Sequence, residues 1–194
     1  MDDIRQLLEK MARTAVTMGL FVLALWIIYF IDTVLLHSRL KTRFGIRPRT
    51  RFSLGSILFS PFLHVNRQHL AANSVPFFVL GSLVMVQGQT TFWLATAVII
   101  PIAGLGIWFF GRPNTVHMGA SGLILGYFGF ILASVLFSPD LVAIVLAIIV
   151  AALYIGLITQ IVPLKKGVST TGHLFGFIGG VVAAGLAAAI GTVG

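Results

Sequence analysis

At 194 residues, 58% of them hydrophobic and only 9% charged, the chain departs from soluble domains, in which about a quarter of residues are charged. It has no cysteine, which excludes disulfides and thiolate-metal sites, and its five acids and five histidines lack HExxH-like spacing, which argues against a metal centre. The formal charge of +8 owes much to Arg39, Lys41, Arg43, Arg47, Arg49, Arg51 and Arg67; such a juxtamembrane cluster reads as a contact with anionic lipid, and without interleaved aromatics it does not read as a nucleic-acid surface.

Residues 1–14 mix acids and bases, and the apolar run after them has full spanning length, so they read as a short N-terminal interfacial segment rather than a cleaved signal. Residues 15–194 then form one domain. Six apolar stretches follow, at Ala15 to Leu36, Leu70 to Val86, Phe92 to Phe110, Ser121 to Phe137, Leu141 to Val162 and Thr171 to Thr192, each near the roughly twenty residues a bilayer requires. The expected fold is therefore an all-α membrane bundle of six transmembrane helices. The long first loop turns at Gly45 to Pro48 and then alternates Phe52, Leu54, Ile57 and Phe59 with small polar residues, a pattern that places it in the interface.

Helix two carries His69 and Asn73 four residues apart on one face. Helix three contains Pro101 with Gly104 and Gly106 nearby, and the third loop holds Arg112, Asn114 and His117. Helix four opens on Gly119-Ala120-Ser121-Gly122 and is short, about 25 Å at 1.5 Å per residue, so the loop before it is expected to dip below the surface beside water. Helix six bears His173 in its first turn, and its Gly172, Gly176 and Gly180, with Gly122, Gly126 and Gly129 on helix four, form small-residue faces that would let the two backbones approach closely. Helix five's outer face and the loop before helix six are candidate gates.

Even-numbered helices begin on the same side of a membrane, so His69, Asn73, Ser121 and His173 share a leaflet. Taken singly, a histidine or asparagine in a span readily bonds a neighbouring carbonyl. Together, Ser121 and His173 suit a nucleophile and its base, and the Ser121 N–H, the Asn73 amide and the His69 ring are donors suited to an oxyanion. Asp140 and the N-terminal acids lie on the opposite face by the same count, and Asp32 is accounted for by first-loop bases or His37, so the expected unit is a Ser-His dyad. The G-x-S-x-G elbow of α/β hydrolases does not fit. His64 is read as fixing the first loop, His37 and His117 as interfacial and solvated, and Asn114 as a loop residue without a task.

Over essentially its whole length the chain resembles the rhomboid family of intramembrane serine proteases, through His64-x-x-x-x-His69-x-x-x-Asn73, Gly119-x-Ser121-Gly122 and His173-x-x-Gly176-x-x-x-Gly180. The resemblance implies a rhomboid-like six-helix bundle with Ser121 as nucleophile, His173 as general base and then acid, and His69, Asn73 and the Ser121 amide as the oxyanion hole. His64, Gly119, Gly122, Gly176 and Gly180 would give structural support. It implies cleavage of transmembrane protein substrates without cofactor or metal, in a prokaryotic plasma membrane, with the active face extracytoplasmic. The basic residues of the odd-numbered loops point the other way by the positive-inside rule, and the resemblance is preferred because an interface-bound loop escapes that count. The sequence departs from the family at Gly55 and Ser56, where Trp-Arg is common, leaving Arg51 and Phe52 as candidate anchors for the loop; it also has Leu125 where an aromatic is frequent, while Tyr127 faces elsewhere. A catalytically silent rhomboid-like protein that binds membrane clients is the alternative. A transporter would require an inverted repeat, and none is evident. The oligomeric state is left open.

Overall fold

The computed structural model describes residues 2–50, 52–139, 141–157, 159 and 170–192; Arg51, Asp140 and the loop at 163–167 fall outside these. Among the described residues the fold is all helical apart from one antiparallel bridge between Ile46 and His117. The elements are α1 (Asp2–Phe30), α2 (Arg39–Phe44), α3 (Leu54–Phe59), α4 (Arg67–Gln87), α5 (Gln89–Phe110), α6 (Ser121–Phe137), α7 (Leu141–Tyr154) and α8 (Thr170–Ala189). Among the described residues four helices are long and apolar enough to span a bilayer, and two further apolar helices, over Ser121–Phe137 and Ala143–Leu157, are shorter. The protein is an integral, multi-pass membrane protein with the expected bundle.

The N-terminal segment, expected to be a short interfacial helix leading into the first span, runs into that span as one helix. Good helix formers, with Arg5 and Arg13 each pairing Glu9 at 3.1 and 3.7 Å, leave no breaker at which α1 could stop. A π-turn at Ile31–Leu35 ends it and buries Asp32, whose carboxylate accepts from the Leu40 N–H at 2.8 Å and lies 3.7 Å from Lys41 Nζ. That acid is committed to α2.

Helix α4 starts at Arg67, three residues before the apolar run, because the Asn66 side chain accepts from the His69 N–H at 2.8 Å and caps it. The core centres on α6, where every residue from Leu123 to Ile131 is buried, consistent with a helix enclosed on all sides. Tyr127, fully enclosed, packs on Phe77 and Phe92 and shares a 2.8 Å hydrogen bond with Thr96, so it does face away from the loop end of the helix.

Helix α8 lies tightly against α6. A Cβ on Gly176 would collide with the Gly122 carbonyl oxygen, and one on Gly180 with that of Gly126, so these glycines set how closely the axes approach. The head of α8 is thereby held beside the head of α6. Val16, Leu20, Leu23 and Ile27 of α1 and Leu141, Ile148 and Leu153 of α7 are exposed, as lipid-facing surfaces should be.

The first loop is tied to α5 without a Trp-Arg pair. Arg49 donates its backbone N–H to the Trp108 carbonyl at 3.0 Å and its guanidinium to that of Gly111 at 3.0 Å, while the Trp108 indole donates to Thr50 O at 3.2 Å and Phe52 packs edge-on against it. Of the two anchors expected, Phe52 therefore has its contact in Trp108.

Candidate active site

Ser121 is the first residue of α6, after a backbone that runs through Gly119 at φ +122°, a conformation side chains disfavour. A Cβ there would also stand 2.5 Å from His69 Cε1, so glycine admits the His69 ring against the chain. Two neighbouring amides are held from outside the helix: Gly119 N–H by the Ser60 carbonyl at 3.0 Å and Ala120 N–H by His64 Nε2 at 3.4 Å. His64 therefore supports the turn that presents Ser121. Among the described residues no side chain caps α6, so its first N–H groups face whatever occupies the space before it.

His173, buried in the first turn of α8, places Nε2 2.8 Å from Ser121 Oγ. The two side chains come from separate spans and share one hydrogen bond. They border a cavity of about 640 Å³ that opens outward and is also lined by His69, Asn73, Leu125 and Leu157. Asn73 is buried, and among the described residues its amide nitrogen has no hydrogen-bond partner. The four polar groups expected to share a leaflet thus meet around one space. A smaller cavity of about 30 Å³, enough to admit water, is lined by Ser121 and His173 together with Ser60, His117, Gly119 and Gly172.

His117, expected to be interfacial and solvated, is partly exposed and lines both cavities, fixed by paired backbone hydrogen bonds with Ile46 at 2.9 Å and by a 2.7 Å contact between Nε2 and Thr115 Oγ1. Burial, and next the proximity of His173, lower its pKa. No local pattern marks this residue, since a pairing between distant loops turns it inward. Burial, then the His69 ring at 5.3 Å, push the pKa of His64 down to about 3, against an opposing pull from the Phe62 carbonyl. A neutral His64 keeps the lone pair that accepts from Ala120. Among the described residues no three His, Cys, Asp or Glu side chains converge as metal ligands would.

Chemically, a hydroxyl bonded to an imidazole beside buried N–H donors is an arrangement that can supply a nucleophile, its base and a place for developing negative charge. A model of the rhomboid domain matches residues 51–189, which contain every one of these groups. The chain belongs to the rhomboid family. Uncharacterized proteins of Mycobacterium tuberculosis and Mycobacterium leprae are 41% and 37% identical to it, over 87% and 90% of this chain and 73% and 71% of their own lengths. A putative rhomboid protease of Bacillus subtilis is 30% identical over 63% of this chain and 62% of its own. Against the rhomboid pattern, Leu125 is fully buried on the cavity wall where an aromatic is frequent.

Proposed function

We propose that the protein is an intramembrane serine endopeptidase that hydrolyses peptide bonds in or near transmembrane segments of membrane proteins. The observation that carries this reading is the 2.8 Å contact between His173 Nε2 and Ser121 Oγ at the wall of an open cavity. Ser121 Oγ attacks the scissile carbonyl carbon while His173 Nε2 takes its proton. The oxyanion is met by the Ser121 N–H, the Asn73 amide and the His69 ring. His173 then protonates the leaving amine, and water entering through the cavity, deprotonated by His173, attacks the acyl ester and releases the second product. His64, Gly119, Gly122, Gly176 and Gly180 hold the two helix heads in place. The reading puts the protein in a prokaryotic plasma membrane with this face outside.

Purified protein incubated with a panel of single-span substrates in detergent tests the proposal, with fragments read by mass spectrometry. Ser121→Ala and His173→Ala are each expected to abolish cleavage, and the double variant to do no worse than either. A fluorophosphonate should label Ser121 in the wild type and not in His173→Ala. Cleavage retained by either variant would refute the dyad, and client capture without any product would favour the silent alternative.

A further inference from the structure

Two loops on the active face contain the same four-residue turn. Arg47-Pro48-Arg49-Thr50 lies in the first loop and Arg112-Pro113-Asn114-Thr115 between α5 and α6. In each, the threonine hydroxyl donates to the arginine carbonyl, at 2.8 Å from Thr50 and 2.5 Å from Thr115. In each, the residue after proline is left-handed, Arg49 at φ +56° and Asn114 at φ +60°. That position is favoured by glycine or asparagine, so an arginine there is held against its backbone preference. The two turns form the walls of an open cleft of about 610 Å³.

This cleft shares Thr115 and Val116 with the cavity that holds Ser121 and His173, and Arg112 stands on the cavity side of the shared wall. The cleft is therefore the immediate neighbour of the cavity, across the wall formed by Thr115 and Val116, within reach of a chain that lies in the cavity and crosses that wall. There such a chain meets Arg47 and Arg49, the latter fixed by the Gly111 carbonyl. Counter-charge is scarce. Among the described residues Asp32 is buried with Lys41, and Glu9 pairs with Arg5 and Arg13 on α1. A cleft lined by one sign of charge between low-dielectric walls concentrates ligands of the opposite sign.

Resting on the protease reading, we propose that the cleft between the two turns is a specificity subsite that receives an acidic side chain from the juxtamembrane segment of the substrate, within a few residues of the scissile bond. A lipid head group would satisfy the charge, but the shared wall with the catalytic cavity favours the polypeptide already lying there. Arg47 and Arg49 are the specificity residues, and Arg112 marks the path between the two spaces.

The test uses full-length protein in phosphatidylcholine vesicles, with single-span substrates that differ only in Asp or Lys at juxtamembrane positions. The expected result is a kcat/KM ratio of about tenfold in favour of Asp, at the low end of electrostatic focusing, shrinking as salt is added. Arg47→Glu should invert the ratio. Arg49→Gly removes a charge and eases the left-handed backbone, at the loss of the guanidinium bond to the Gly111 carbonyl, and should bring the ratio towards one while the backbone bond from residue 49 to the Trp108 carbonyl remains. Because each ratio is taken within one variant, general loss of activity cancels. Equal rates for both substrates in the wild type would overturn the subsite and leave the protease reading standing, and so would a rate that responds to added phosphatidylglycerol regardless of substrate charge. Should no substrate be cut, the relative affinity of the Ser121→Ala protein for the Asp and Lys spans, read by fluorescence anisotropy, decides the question: tighter binding of the Asp span supports the subsite and equal binding overturns it.

Discussion

Among the described residues the Asn73 amide nitrogen is a buried donor without a hydrogen-bond partner, and Asn73 lines the wall of the candidate site. A buried donor left unsatisfied costs about 1–3 kcal/mol, which an oxyanion accepting from it under the proposed reading would offset. Asn73→Ala removes the orphan along with the donor. The expected outcome is a kcat lower by about 10²–10³-fold with KM little changed, and a thermal midpoint in detergent no lower than that of the wild type. A midpoint that falls together with kcat would mean that Asn73 serves the fold instead. At this scale counting crossings puts Ser121, His173, His69 and Asn73 on one side of the bundle because they fall at helix starts, and all four line one cavity. The count does not place His117 beside them, since that position depends on a backbone pairing with Ile46.

The paired helices α6 and α8 show what the glycines contribute. Gly180 faces the Gly126 carbonyl with no space for a Cβ, whereas Gly19 on α1 has nothing within 4 Å of where its Cβ would lie. Overpacking a tight contact costs about 1–3 kcal/mol, and a side chain added in open space costs little. Gly180→Val is therefore expected to lower stability by at least that amount, measured by denaturant unfolding in detergent, and to lower activity because the head of α8 carries His173. Gly19→Ala should change neither by a measurable amount. Equal effects from the two would remove the argument that close backbone approach positions the pair. The four-residue glycine spacing made this contact legible in advance, because small residues in a span have few other uses. The point where the interfacial start of α1 gives way to the span is harder to read, because the i,i+4 pairs around Glu9 keep the charged residues in one helix with the apolar run.

Across the whole molecule, the loops on the active face behave as one structural unit with the helix heads, since Ile46 pairs with His117, Ser60 with Gly119 and His64 with Ala120. Sequence patterning located the spans, whose length the bilayer dictates, but not these ties, which join residues far apart in the chain and follow no periodicity. The ties have a pH consequence. In the unfolded chain His64 binds a proton near its ordinary pKa of 6.5, while in the folded protein burial holds that pKa down to about 3. Above 6.5 both states are neutral and stability is full; as pH falls from 6.5 towards 3 only the unfolded state gains the proton, so stability is progressively lost. Burial and His173 lower the pKa of His117 as well, which adds to the loss in the same direction. The thermal midpoint of the wild type in detergent should therefore decline on acidification through this window. His64→Gln should start lower at neutral pH, having a weaker hold on Ala120, yet decline less steeply. Parallel slopes for the two proteins would show that protonation of His64 is not what loosens the turn beneath Ser121.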